Sequence, residues 1–489
     1  MKPPAEAVRV SNPRRIIRNT LFSTFSELSM LYTSLFFFLA IGRLGRDVWG
    51  QFTTALAFVG LFAMLILFGF SYSITKVIVR KRSGAGASVS NALFLQGLLT
   101  LATLALCYGV AMAFGQRYTE IRTLILIAFA AESLKSYTLT LRAAAKALGG
   151  FHYDTIAMNA ERLLLLGAGG ALLIAGRGVF AAASVLAASR LVSFIILLAA
   201  VHRLCPDGFP KPSLPVSRML LSESWIYVAQ SALWRVYDYI DVVMISLLAG
   251  FGPAGLYGAG KKILEGLWLI PNILTEAVYP EIAARHLVSK DLVRTLFSRS
   301  LKYLTVTAFV VAIGTILLAG TVVGWFGADY RKAAPVLAIF GATVVPSYLR
   351  YLFGNILIAV NLQKKEIMAS TVRSVFNIIA NWILISFYGI LGAAVATLAT
   401  DAFAVVLYWI LLRRAGYAES SQLATIGKPF AATIPLIPVY WLVRGLAPVF
   451  QCAVLLPIYG ILVVWSGLFQ KEEAELFWRS IREKWRTHF

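Results

Sequence analysis

Long apolar windows recur along the whole chain, and they constrain its fold more than any other feature. Windows of 18 or more mainly apolar residues follow one another from about residue 19 to about residue 469. Each window is long enough to cross a bilayer, because a transmembrane helix needs about 20 apolar residues. Only 14% of the residues are charged, about half the share that is usual in soluble domains. The sequence therefore predicts an all-α integral membrane protein.

The distribution of Lys and Arg predicts the topology. The apolar windows predict about fourteen transmembrane helices, at residues 19–41, 49–75, 89–114, 121–145, 154–175, 178–201, 224–249, 255–279, 302–326, 335–360, 367–388, 390–412, 429–446 and 449–469. Most Lys and Arg outside these helices lie in the two termini and in the alternate loops on their side. The opposite loops hold only Arg43, Arg46, Arg117, Arg122, Arg177, Arg331, Lys332 and Arg444. Because cytoplasmic loops carry the excess of basic residues, both termini are predicted to be cytoplasmic.

The two halves of the chain show a weak internal repeat. A shift of 211 residues places the sixth predicted helix on the twelfth, with Arg190 on Asp401, and a shift of 214 places Tyr137 on Tyr351. The shift covers six helices, an even number, so the halves would run in parallel orientation around an axis along the membrane normal. We therefore predict two pseudo-symmetric six-helix bundles plus two extra C-terminal helices. The predicted parts are an N-lobe at 1–201, a linker at 202–218, a C-lobe at 219–415, and the extra helices with a basic tail at 416–489.

Ionisable residues inside the predicted helices are the main candidates for function. Each costs about 2.5–3.5 kcal/mol at a helix centre, so such residues usually face a bundle interior or a wet cavity. The cations are Lys135, Arg162, Arg190, Arg235, Lys261, Lys262, Arg350 and Arg373, and the anions are Glu27, Glu132, Asp238, Asp241, Glu265, Glu276 and Asp401. Some could instead pair within a helix at i,i+3 spacing, as Glu132 with Lys135 or Lys262 with Glu265.

Several function classes are disfavoured by the sequence. The net charge of +22 is explained by basic cytoplasmic loops and does not require nucleic acid. Three unclustered cysteines and four scattered histidines indicate neither a disulfide framework nor a metal site. The segment "GLYGAGKK" (255–262) ends in Lys262 where a phosphate-binding P-loop needs Ser or Thr. No catalytic motif is found, so we expect no cofactor and no enzymatic activity.

Three segments resemble one family of membrane transporters. They are "AIGRLGRDVWGQF" (40–52), "GFSYSITKVIVRKR" (69–82) and "GPAGLYGAGKKI…PNILTEAVYPEIA" (252–283). They are similar to the polysaccharide-transport branch of the multidrug/oligosaccharidyl-lipid/polysaccharide flippase superfamily. The resemblance covers about residues 15–415. It does not extend to the arginine-rich second helix of lipid II flippases, because "GQFTTALAFVGLF" (50–62) is uncharged.

The resemblance implies a function for the charged residues. Members of this family move lipid-linked oligosaccharides, usually on undecaprenyl diphosphate, from the cytoplasmic to the periplasmic leaflet by alternating access around a cationic cavity. On this basis the substrate-binding candidates are Lys135, Arg190, Arg235, Lys261, Lys262 and Arg350, and the candidates for coupling to H⁺ or Na⁺ are Glu27, Asp238, Asp241 and Asp401. Arg350 is the leading candidate, because a guanidinium can bind a diphosphate bidentately. Tyr237 and the other mid-helix aromatics Trp234 and Tyr239 suit the two faces of a sugar ring.

The family also implies a setting, and two other classes stay open. We expect a multi-pass monomer in a bacterial inner membrane, in contact with lipids and with its polyprenyl-diphosphate substrate. One alternative is an ion-coupled antiporter of drugs or other small molecules, which an acidic cavity would favour. The other is a membrane-embedded glycan polymerase or ligase, which the short external loops disfavour.

Overall fold

Helices make up nearly all of the regular structure in the described part of the chain. The computed structural model describes residues 22, 26, 28–80, 82–205 and 208–468, apart from the side chains of residues 226, 229–231 and 276. The predicted coupling residue Glu27 and the basic C-terminal tail lie outside the described residues. No strand occurs within the described ranges. The predicted all-α fold is therefore confirmed.

The helices follow one another with short connections. In chain order they are α1 Met30–Leu67, α2 Phe70–Arg80, α3 Ala85–Ala113, α4 Gln116–Glu120, α5 Arg122–Ala147, α6 Phe151–Leu164, α7 Gly170–Ile174, α8 Gly178–Leu204, α9 Leu214–Leu248, α10 Phe251–Leu267, α11 Leu269–Arg285, α12 Lys290–Gly324, α13 Ala334–Ala359, α14 Gln363–Arg414, α15 Leu423–Ala431, α16 Leu436–Val443 and α17 Pro448–Trp465. A π-helical turn, Leu165–Gly169, joins α6 to α7.

Helix α14 is a hairpin of two spans rather than one straight helix. Its 52 residues would extend about 78 Å, more than twice the thickness of the hydrocarbon core. Gly389 interrupts it with φ 57° and ψ −133°, a conformation that side-chain-bearing residues rarely adopt. Asn377 Nδ2 donates to Thr400 Oγ1 at 3.2 Å across the two arms. The arms therefore run antiparallel, in agreement with predicted spans at 367–388 and 390–412.

Helix α1 turns back in the same way near its beginning. Gly45 has φ 73° and ψ 163° inside the helix. The ring of Phe37, before this glycine, lies 6.1 Å from that of Trp49 and 6.5 Å from that of Phe52. Rings on opposite sides of Gly45 can meet only if the chain reverses there. The first two predicted spans are therefore the arms of a second hairpin.

The number of spans is close to the predicted one. In the described part of the chain, ten helices are long and apolar enough to cross a membrane, and two of these, Met30–Arg80 and Gln363–Arg414, contain the hairpins. Helix α9 is not among the ten, although its 35 residues would extend about 52 Å. A multi-pass membrane protein is therefore confirmed, and the count of fourteen stays a prediction.

The chain forms two compact units, one up to Gly255 and one from Leu256 onward. The first unit includes α9. Tyr239 of α9 packs against α1 at Gly60, where an added Cβ would lie 2.7 Å from its ring. The C-terminal end of α9 is capped by Arg117, whose Nη1 donates to the carbonyl oxygens of Ser246 at 2.9 Å and Leu247 at 3.0 Å. The lobe boundaries drawn from the sequence stay a prediction.

We expect reporter fusions to follow the basic-loop topology. Fusions at Gly84 and Gly427 should read as cytoplasmic, because both sites adjoin loops rich in Lys and Arg. Fusions at Gly176 and Ala328 should read as external. Paired alkaline phosphatase and fluorescent protein fusions measure this directly. A cytoplasmic signal at Gly176 would overturn the topology.

Candidate functional site

A buried carboxylate in the first unit gathers three cations from three helices. Glu132 on α5 is only 4% exposed. Its Oε1 accepts a hydrogen bond from Nη1 of Arg190, on α8, at 2.8 Å. Its Oε2 lies 3.6 Å from Nζ of Lys135, one helical turn away, and 4.0 Å from Nη1 of Arg235, on α9. These contacts bring together three of the six predicted substrate-binding residues.

The charges of this cluster do not cancel. One carboxylate faces three cations, and Arg190 has the shortest and best-formed contact with it. Separating a buried carboxylate from all its partners is costly, so Glu132 is best regarded as the anchor that holds the cations in place. Arg235 is fixed further by a hydrogen bond from Nη1 to the carbonyl oxygen of Gly60 at 3.2 Å. The result is a group of three cations around one carboxylate, with surplus positive charge.

A cavity of about 450 Å³ opens beside this group within the first unit. Its lining contains two of the cations, Lys135 and Arg235, together with Asp238. The remaining lining side chains are Leu67, Tyr72, Trp234 and Tyr239. Lys135 and Arg235 can thus contact both Glu132 and a molecule in the cavity. Arg190 is not part of the lining, and its contact is with Glu132.

Aromatic side chains form much of the cavity wall. Tyr72 on α2 stacks on Tyr227 of α9, with ring centroids 4.9 Å apart and an angle of 19° between the rings. Trp234 is half exposed, and Tyr239 packs edgewise near Gly60. Such rings offer apolar faces and polar edges. Sequence reasoning identified Trp234 and Tyr239, but Tyr237 is buried and is not part of the wall.

The second unit holds a different buried ion pair. Arg350 Nε on α13 lies 2.8 Å from Oδ1 of Asp401 on α14, and the Asp401 side chain is fully buried. The hydroxyl of Ser347, one turn before Arg350, donates to Oδ2 of Asp401. Asp401 therefore has partners on both carboxylate oxygens. Two predicted residues, one for substrate binding and one for coupling, are thus joined in a single pair.

The Glu132–Arg190 and Arg350–Asp401 ion pairs join corresponding helices of the repeat, but the helix that carries the anion in one pair carries the cation in the other. In the first unit the anion is on α5 and the cation is on α8. In the second the cation is on α13 and the anion is on the second arm of α14. Arg190 and Asp401 are the residues that the shift of 211 superposes. Each half of the repeat therefore joins its fourth and sixth predicted spans by one buried ion pair, the first half through Glu132 and Arg190 and the second through Arg350 and Asp401. This is the arrangement expected of a structural contact.

Lys261, Lys262 and Asp241 are the other predicted site residues that the structure describes. Lys262 Nζ pairs with Oε2 of Glu265 at 2.7 Å, the i,i+3 pairing that the sequence indicated, and the neighbouring Lys261 is buried. Asp241 is buried, and its Oδ1 accepts a hydrogen bond from the backbone N–H of Val242 at 2.8 Å. Neither Asp241 nor the two lysines belong to the lining of the cavity beside Glu132.

Sequence reasoning missed some members of the site. The sequence identifies Glu132 as an intramembrane anion and a possible partner of Lys135, but not as one of the substrate-binding or coupling candidates, and it does not show the contact with Arg190. Leu67 and Tyr72 were not singled out, because nothing in a single sequence shows that α1 and α2 meet α9 at this level. Within the described residues, no group of three or more His, Cys, Asp or Glu could hold a metal ion.

Two family models match the chain. The model described as "Polysaccharide biosynthesis protein" matches residues 16–286, more than half of the chain. The model described as "Lipid II flippase MurJ" matches residues 226–459. The two matches overlap across α9, the helix that carries Arg235 and Asp238.

Curated relatives come from an archaeon, Haloferax volcanii. One, a probable low-salt glycan biosynthesis flippase, Agl15, is 24% identical over 257 residues, which cover 52% of this chain and 54% of the relative. Another, the probable flippase AglR, is 23% identical over 235 residues, covering 47% of this chain and 48% of the relative. The chain spans about half the length of the curated relatives it matches.

Solved structures match over most of the chain. The lipid II flippase MurJ in an inward closed conformation has a TM-score of 0.70 at 15% identity, covering 94% of this chain and 99% of that protein. An inward-facing multidrug resistance transporter of the MATE family and MOP superfamily has a TM-score of 0.63 at 14% identity, covering 81% and 98%. At these identities the likeness shows the fold alone.

Proposed function

The chain belongs to the family of polysaccharide biosynthesis proteins, and on this premise we propose that it is a lipid-linked oligosaccharide flippase. Its substrate would be an oligosaccharide on undecaprenyl diphosphate, carried from the cytoplasmic to the periplasmic leaflet of a bacterial inner membrane. The cavity that brings Lys135 and Arg235 together with three aromatic side chains carries this proposal. The curated relatives described as probable flippases support the activity.

The cations suit the diphosphate. A diphosphate cannot enter hydrocarbon with its charge uncompensated, because an isolated ion there is strongly disfavoured. Lys135 and Arg235 line the cavity, and cationic donors make the strongest hydrogen bonds to phosphate oxygens. Glu132 holds both cations in position, so little ordering remains to be done when the substrate enters.

The aromatic wall suits the sugars. Trp234 and Tyr239 on α9, with Tyr72 on α2, surround the cavity with ring faces and hydrogen-bonding edges. A sugar ring likewise has apolar C–H faces and a polar rim, so it can stack on these rings while its hydroxyls bond at their edges. Because all residues that line the cavity lie in transmembrane helices predicted from the sequence, the polyprenyl chain would stay in the lipid while the polar head passes through.

Of the acidic residues predicted to bind a coupling ion, Asp238 is the one that we assign to this role. Asp238 lines the cavity beside Arg235, where substrate and a bound H⁺ or Na⁺ could affect one another through charge. Asp401 forms an ion pair with Arg350 and accepts a hydrogen bond from Ser347. Asp241 is buried and does not line the cavity. Among the coupling candidates that the structure describes, Asp238 is therefore the one whose protonation or ion binding would respond most directly to substrate in the cavity.

We expect Asp238→Asn to slow transport by about 10-fold, the effect of losing one strong charge-assisted contact, while insertion into the membrane is unchanged. Asn keeps the shape of the side chain but cannot ionise. Transport rates in proteoliposomes should be measured over a range of internal and external pH and of Na⁺. Asp241→Asn is the matched control on the same helix. An Asp238→Asn variant with the wild-type pH and Na⁺ dependence would exclude this residue from coupling.

The alternative of a drug antiporter of the same fold is favoured by one observation, the carboxylate of Asp238 in the cavity. Multidrug transporters also share the fold. Many such drugs are cationic, however, and the lining carries Lys135 and Arg235 against the single Asp238. This excess of positive charge favours an anionic substrate.

Reconstitution distinguishes the two functions. Purified protein in liposomes should move a fluorescent undecaprenyl-diphosphate oligosaccharide between leaflets, and a membrane-impermeant quencher measures the fraction in the outer leaflet. We expect faster exchange than in protein-free liposomes and no uptake of a cationic dye. Dye uptake without exchange of the lipid-linked glycan would support the antiporter instead.

A further inference from the structure

A second cavity, of about 400 Å³, lies in the second unit. It is an open cavity between residues 295–302 of α12, the segment that begins α15, and the residues that follow α17. Three cations line it, Arg299, Lys302 and Lys428. Four hydroxyl side chains also belong to the lining, those of Thr295, Ser298, Ser421 and Thr425, and no carboxylate side chain does.

The two acidic residues near this cavity pair with Arg294, and Glu419 Oε2 also accepts a hydrogen bond from the hydroxyl of the lining residue Ser421 at 3.5 Å. Arg294, on the turn of α12 before the cavity, pairs with Asp291 at 2.9 Å and with Glu419 at 3.1 Å. Within the described ranges, no carboxylate lies within 4.0 Å of Arg299 or Lys428; Lys428 Nζ donates to the carbonyl oxygen of Gly467 at 3.4 Å. The cavity therefore combines several cationic donors and hydroxyls, the groups that bind phosphate oxygens.

The surface next to the cavity is apolar. Helices α12, α15, α16 and α17 share a core that includes Phe309, Leu455 and Tyr459. Phe430, two residues after the lining residue Lys428, and Trp465, two residues before the lining residue Gly467, are 59% and 82% exposed. Exposed aromatic side chains at the ends of membrane helices are typical of the interface between headgroups and acyl chains. A molecule that filled the cavity with a phosphate could lay its chains along this surface.

The charge distribution indicates which leaflet the cavity faces. The basic-loop topology places the start of α12 and the start of α15 on the cytoplasmic side. The cytoplasmic leaflet of a membrane is the one that carries anionic lipids, and basic residues near it gain about 1 kcal/mol each from that surface. A basic surface attracts anionic lipids without holding any one of them in place. Here three cations line the same cavity, so they can bind one phosphate group together.

The geometry points to a binding site for the phosphate group of an anionic phospholipid, whose acyl chains lie against Phe430 and Trp465. The phosphate contacts Arg299, Lys302 and Lys428, and the hydroxyls of Ser298 and Thr425 donate to its remaining oxygens. The bound lipid connects α12 to the beginning of α15 and to the residues that follow α17. The site is independent of the proposed transport function, because none of its residues belongs to the cavity beside Glu132.

A titration with phosphatidylglycerol tests this site. Full-length protein in a neutral detergent is titrated with phosphatidylglycerol, and native mass spectrometry measures the bound fraction. The double variant Arg299→Gln/Lys428→Gln should bind about 30-fold more weakly, as expected for the loss of two cations at a phosphate site. The matched control Lys364→Gln/Lys365→Gln removes two exposed cations at the beginning of α14, on the same predicted side of the membrane, and should bind as the wild type does.

Three outcomes would overturn the site. Equal weakening in both double variants would mean that phosphatidylglycerol is attracted only by overall charge. Wild-type binding by Arg299→Gln/Lys428→Gln would mean that the lipid binds elsewhere. Full displacement of phosphatidylglycerol by inorganic phosphate at equal concentration would identify the ligand as a free phosphate, because the apolar surface would then contribute nothing.

Discussion

The Lys135→Gln/Arg235→Gln variant should reach the membrane at wild-type abundance and show almost no transport. Each cation lines the cavity, and loss of one charge-assisted hydrogen bond to a phosphate costs about 1.5–3 kcal/mol, or about 10- to 100-fold in rate for each single variant. Folding should be preserved, because Glu132 keeps its contact with Arg190 at 2.8 Å. Exchange of a fluorescent lipid-linked oligosaccharide in proteoliposomes gives the rate, and immunoblotting gives the abundance.

Two further variants make this prediction specific. Arg122→Gln removes an exposed cation from the same helix as Lys135 and should leave transport unchanged. Arg235→Lys keeps the charge but loses the planar guanidinium, so it should restore only part of the rate. If the double variant transported at the wild-type rate, neither cation could be a diphosphate contact, and the cavity would have to be assigned another role.

The sequence predicted the membrane fold well because the physical cause is local. A bilayer requires long apolar helices whatever their packing, so the apolar windows alone indicate the spans. The turn within α14 was also predictable, since Gly389 separates two windows of spanning length. The sequence did not show that α9 would belong to the first compact unit. That outcome depends on contacts such as Tyr239 against Gly60, which no local pattern contains.

The candidate site was predictable only in part. The cost of burying charge identified Lys135, Arg190 and Arg235 as unusual, and the structure brings all three to Glu132. What the sequence could not supply was the choice of partner. Arg350 has the same residue type and a similar depth in its helix, yet it is held by Asp401. Partner choice depends on which helices are neighbours, and a single sequence does not specify this.

The Arg350→Ala variant should be strongly destabilised. Asp401 is fully buried, and Arg350 is its charged partner at 2.8 Å. Removing one member of such a pair leaves an uncompensated buried charge and costs about 3–5 kcal/mol. We therefore expect a large fall in the amount of folded protein, and transport should fall in proportion. Immunoblotting of membranes and thermal unfolding in detergent measure the loss.

This expectation differs from the one that the sequence alone supports, in which Arg350 binds the diphosphate and its loss abolishes transport at normal abundance. The double variant Arg350→Met/Asp401→Asn separates the two roles. It removes both charges, and the Asn side chain can still accept the hydrogen bond that Ser347 donates to Asp401. Replacing both members of a buried ion pair by neutral groups is often close to neutral for stability. If the pair is structural, this variant should recover both abundance and transport.

The decisive observation is transport per folded molecule of the double variant. A value near that of the wild type would assign Arg350 to the packing of α13 on α14, the counterpart of Arg190 and Glu132 in the first unit. Normal abundance with no transport would instead show that the guanidinium acts on the substrate, as the sequence suggested. In that case the correspondence between the Glu132–Arg190 and Arg350–Asp401 pairs would no longer indicate a shared structural role. The diphosphate site would then have to include Arg350.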